Sequence, residues 1–141
     1  MIRAARYAYA VLAWLFLAGL VVQVFFIGLG LFAGAENLEL HVQFGWILHL
    51  APLLVLGAAA LARAGRRHWL AALALAAVVF VVPILVTMRD SNEVLAALHP
   101  VAALAAFWLS IVTARNSLEA LRAPVPAAAQ SSGAGAGAAP A

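Results

Sequence analysis

The chain has no cysteine and no lysine, a single aspartate, and charged residues at only 9% of its 141 positions. Without cysteine it can form no disulfide, no iron–sulfur cluster and no covalent c-type haem attachment. Asp90, the only aspartate, is accounted for by a helix cap, and no acidic residue lies within the apolar runs. Ser91, Ser110, Ser117, Thr87 and Thr113 show no spacing to a His–Asp partner. No phosphate-cradling glycine motif and no basic patch for nucleic acid is present, because the eight arginines are spread along the chain. Hydrolases and nucleic-acid binders are therefore not indicated.

What fills the sequence is apolar. It is 67% hydrophobic with a mean hydropathy of +1.08, outside the range of soluble domains. Four runs, at about 7–33, 41–61, 69–87 and 94–114, are each long enough for a helix to cross a hydrocarbon core that needs about 20 residues. They lack the in/out alternation of barrel strands. The first run is too long for a signal-peptide core, which spans about 7–15 residues. The expectation is an all-α chain: a four-helix transmembrane domain over 1–122, antiparallel and up-down-up-down because the connections 34–40, 62–68 and 88–93 are short. Asp90 with Glu93 predicts a capping box that opens the fourth helix, and Pro83 and Pro100 predict bends. The Pro/Ala/Gly/Ser segment 123–141 predicts a disordered tail.

Arg3, Arg6, Arg63, Arg66, Arg67, Arg115 and Arg122 fall on one side of this arrangement and only Arg89 on the other. The positive-inside rule then predicts a multi-pass protein of the cell inner (plasma) membrane with both termini cytoplasmic.

Lipid tails give helices no hydrophobic reason to associate, so small and polar residues mark the faces that meet. On helix one these are Gly19, Gln23 and Gly30, and on helix two His41, Gly45 and Pro52, with His49 about 80° round from His41. On helix four His99, Ala103, Ala106 and Ser110 share a line. Gln23, near mid-membrane, needs a partner for its amide. His68, beside Arg66 and Arg67, reads as an interfacial residue.

His41, His49 and His99 lie in the outer half, and helices two and four run in the same direction, so their imidazoles come to comparable depth. That placement suits one haem b held by two neutral imidazoles, His41 or His49 with His99, with Gly45 leaving room for a flat macrocycle. Such a protein would be an electron-carrying or haem-handling subunit rather than an enzyme. Its partners would be the lipid bilayer with a membrane redox partner or a second copy, and no nucleic acid. Against haem, the outer face offers only Arg89 to propionates, and Glu36 and Glu39 repel them. The alternatives are a cofactor-free packing or partner-binding protein with structural histidines, a three-histidine zinc or copper site, and a small transporter with a proton or ion path.

The stretches VVQVFFIGLGLF, ELHVQFGWILHL and LHPVAALAAFWL resemble a family of small four-helix bacterial membrane proteins, the domain-of-unknown-function family 6220. The resemblance spans about 7–114 and implies a membrane location without an activity. A looser similarity is to one four-helix half of haem A synthase, which implies His41 and His99 as a haem-ligating pair. The chain departs from that pattern at Val42, where an arginine commonly follows the helix-two histidine.

Overall fold

In bilayer hydrocarbon each backbone N–H and C=O must find its partner within the segment, and a continuous helix does that for every residue of an apolar run. The structure, a computed structural model, describes residues 1–124 and follows this rule. Its elements are α1 (Ile2–Phe32), a 3-10 turn (Ala35–Asn37), α2 (Leu38–Leu61), α3 (Arg66–Thr87), the single-turn α4 (Glu93–Ala96) and α5 (His99–Arg122). Four helices are long and apolar enough to cross a membrane, the fourth formed by α4 and α5 together. With most of their large apolar side chains facing outward, the molecule reads as a multi-pass membrane protein. Residues 125–141, the greater part of the expected tail, lie outside the described residues.

The helices stand as a closed square in which α1 packs on α2, α2 on α3, α3 on α5 and α5 on α1, leaving α2 and α5 on a diagonal. One end carries the seven arginines named above and the other carries Glu36, Glu39, Asp90 and Glu93, so the two are called here the arginine-rich and the acidic end. Connections are tight. Gly34 turns the chain out of α1 at φ +131°, where a side chain is strained. Between α2 and α3, Arg63 N–H bonds to Ala60 O at 3.1 Å and Ala64 N–H to Ala59 O at 3.2 Å. These two bonds form a Schellman motif that places Arg63 at φ +49° in the position glycine usually takes.

Glycines set how closely α1 approaches α2. A methyl group on Gly19 would lie 2.6 Å from Leu48 Cδ2, and one on Gly30 would run into Leu38 Cδ2. Gly28, which shares the apolar run with Gly30, has nothing within 4 Å and is not a packing residue. Alanines serve the same purpose elsewhere: Ala59, Ala72 and Ala114 are fully buried around Tyr9, Phe16, Val55 and Leu75.

Two expectations at the fourth span are corrected. Its cap is Asn92, whose Oδ1 accepts from Leu95 N–H at 3.1 Å, while Asp90 is exposed beside Arg89 at 3.5 Å. Pro100 bends no helix, because α5 begins at His99 and proline sits in its first turn, where the missing N–H has no intrahelical partner to lose. The span is thus one turn, a break and a long helix. Pro52 and Pro83 do lie inside α2 and α3.

Candidate functional site

Packing is uneven along the bundle axis. The fully buried side chains gather at mid-bundle and toward the arginine-rich end, whereas Gln23, Phe26, His41, Phe44 and His99, toward the acidic end, are half-buried. The histidines therefore stand where the dense core has given out.

His41 lies in the first turn of α2 and His99 opens α5. Although α2 and α5 are diagonal, their rings meet across the square, with centroids 6.4 Å apart and planes at 75°. Each ring is anchored through Nδ1 to a neighbouring helix: His41 to the Gln23 carbonyl at 3.3 Å and His99 to the Val82 carbonyl at 2.9 Å. A carbonyl can only accept, so Nδ1 carries the proton in both rings and, in the neutral form, each Nε2 keeps its lone pair. Val82 precedes Pro83, but the carbonyl that proline leaves unpaired is that of Val79, so His99 makes an additional bond rather than filling a vacancy.

Gln23 closes the arrangement from α1. Its Nε2 donates to the His41 carbonyl at 3.0 Å while its own carbonyl accepts from the His41 ring. This reciprocal pair lies flush on Gly45, where a methyl group would come within 2.8 Å of Gln23 Nε2. The glutamine Oε1 is buried and unpartnered. An acceptor in that state is open to a donor from a ligand or water.

His49 does not join the pair. Eight residues further along α2, its ring stacks against Phe80 at 4.3 Å and Trp46 at 5.9 Å, with Nδ1 buried and unpartnered. Among the described residues no three histidine, aspartate or glutamate side chains come together to hold a metal ion, so the three-histidine zinc or copper arrangement is not formed. His68, at the other end, pairs with Glu119 at 3.3 Å.

Sequence reasoning passed over a second polar group at the arginine-rich end. Arg6 is only 5% exposed and donates to the carbonyls of Ala123 and of Pro124, the latter at 3.2 Å, tying α1 to the end of α5. Tyr9 Oη donates to the Thr113 carbonyl at 3.4 Å, beside buried Asn116 and Ser117. The signal was present: the stripe read to Ser110 continues through Thr113, Ser117 and Ala120 at helical spacing.

A haem b at this end would be held by neutral imidazoles, which His41 and His99 could supply. The His41 and His99 rings, 6.4 Å apart with Nδ1 of each turned to a carbonyl, leave both Nε2 atoms chemically available as ligands. For propionates the fit is poorer, since Arg89 is the one arginine at this end and it faces Asp90.

Residues 23–88 match a family of unknown function, DUF6220, a segment that begins at Gln23 and includes His41, Gly45 and His49 but ends before His99. No curated protein and no solved structure matches the chain, so the similarity to haem A synthase finds no support there.

Proposed function

We propose that this membrane protein, whose residues 23–88 match the DUF6220 family, holds one haem b at its acidic end through His41 and His99 and acts as an electron-carrying or haem-handling subunit. The observation that carries the reading is the ring pair itself, 6.4 Å across, each imidazole anchored by Nδ1–H to a carbonyl. Outer-shell bonds of this kind orient metal-ligating histidines and raise their basicity. Bound haem supplies reversible one-electron chemistry at its iron. The chain's own contributions are positional: Gln23 and the Val82 carbonyl hold the rings, and Gly45 keeps the glutamine amide in place.

A reduced-minus-oxidised absorbance spectrum of the full chain, expressed with ample haem and purified in detergent, tests the reading. Stoichiometric haem with a sharp α band is expected, abolished or shifted in His41→Ala and His99→Ala and retained in His49→Ala. A flat spectrum, or one indifferent to all three substitutions, overturns it.

The second reading is a cofactor-free packing or partner-binding protein. It is favoured by the same Nδ1 bonds, which already join α2 to α1 and α5 to α3 and so give both histidines a structural role. In either reading the arginine-rich end faces the cytoplasm of an inner membrane, as the seven-to-one arginine bias supports.

A further inference from the structure

The turn from α2 to α3 holds an arginine where the backbone favours glycine. Arg63 occupies the left-handed position of the Schellman motif at φ +49°, a conformation uncommon for long side chains. Its side chain is exposed and lines an open groove of about 380 Å³ shared with Arg66 and Trp69, floored by Ala60, Ala64 and Gly65. The floor is small, so two guanidinium groups and an indole define what can enter.

We propose that this groove binds the phosphate of an anionic phospholipid, with Arg63 and Arg66 on the phosphodiester and Trp69 beside the glycerol region. Guanidinium groups match phosphate oxygens as planar forks, and an indole prefers the level where headgroups meet acyl chains. The surrounding charge agrees: Arg67 follows Arg66 in the chain, and the one acidic residue at this end, Glu119, is turned to His68. Basic sites next to membrane-spanning helices recognise anionic headgroups by this chemistry. Backbone strain of this kind persists where the surrounding structure or a use of the side chain offsets it, and the Arg63 guanidinium is the group such a use would involve. The inference is independent of the histidine pair, which stands at the opposite end of the bundle.

Thermal unfolding of the detergent-solubilised full chain, with added phosphatidylglycerol, phosphatidylcholine or inorganic phosphate, tests the proposal. Phosphatidylglycerol is expected to raise the unfolding temperature and the other two to leave it nearly unchanged. Arg63→Gly should raise the unfolding temperature in phosphatidylcholine, by relaxing the turn, yet lose at least half of the phosphatidylglycerol shift. Arg66→Gln should lose a similar share, and it carries the test alone if Arg63→Gly does not accumulate. Arg3→Gln, outside the groove, should keep the shift. Equal shifts from both lipids, full retention in Arg66→Gln, or equal loss in Arg3→Gln would overturn the proposal. An equal response to inorganic phosphate would also overturn it, by assigning the groove to a free anion.

Discussion

At Gly45 one hydrogen in place of a methyl group lets the Gln23 amide reach the His41 carbonyl. Gly45→Ala would put its Cβ 2.8 Å from that nitrogen and force the amide away. A loss of about 1–3 kcal/mol in denaturant unfolding is expected, typical of an overpacked contact. Gln23→Ala removes the donor without the clash, and a smaller loss, about 0.6–2 kcal/mol, is the range for interhelical hydrogen bonds in membranes. If the two substitutions act on one clamp, Gly45→Ala should cost little more once Gln23 is already alanine. Gln23, His41, Gly45 and His99 were all legible as inward-facing, since helical spacing alone puts them on stripes with small residues. The partner of the glutamine was not, because which carbonyl an amide meets depends on the register of α1 against α2. His49 shared the stripe argument but went to Phe80, since its angular offset turns it toward α3.

Among the elements, the fourth span departs most from its sequence reading. A continuous apolar run from 94 predicts one helix, yet α4 ends after one turn and α5 restarts at His99 with Pro100 behind it. Pro100 has no N–H to offer the Ala96 carbonyl four residues back, so the helical hydrogen-bond ladder cannot run unbroken from α4 through it. Asn92→Ala should weaken α4 by about 1 kcal/mol, the usual value of a lost N-cap, seen as faster amide exchange at 93–96. At the other end of the same span Arg6 binds the carbonyls of Ala123 and Pro124, just past α5, where a cation also suits the helix dipole. Arg6→Gln should raise exchange at 119–123 by about ten- to a hundredfold, matching the 1.5–3 kcal/mol of a hydrogen bond to a charged group. The haem spectrum proposed for the opposite end should be unchanged.

For the whole molecule, the lack of cysteine makes orientation directly measurable. A single cysteine at Ser91, exposed at the acidic end, should react with a membrane-impermeant maleimide on intact cells. One at Arg67, exposed at the other end, should react only after permeabilisation. The reverse pattern would invert the proposed topology. Composition and run length determined by themselves that this chain is helical, has four spans and alternates in direction, because a bilayer leaves a long apolar segment no other way to satisfy its backbone. Helical spacing further marked Gly19, Gln23, Gly30, His41, Gly45 and His99 as inward-facing. Only the tertiary structure decided that α2 and α5 face each other across a diagonal, that His41 and His99 meet while His49 does not, and that Arg6 ties the first helix to the end of the last. Those outcomes depend on the register and rotation of packed helices. Periodicity along a single helix carries no information about either.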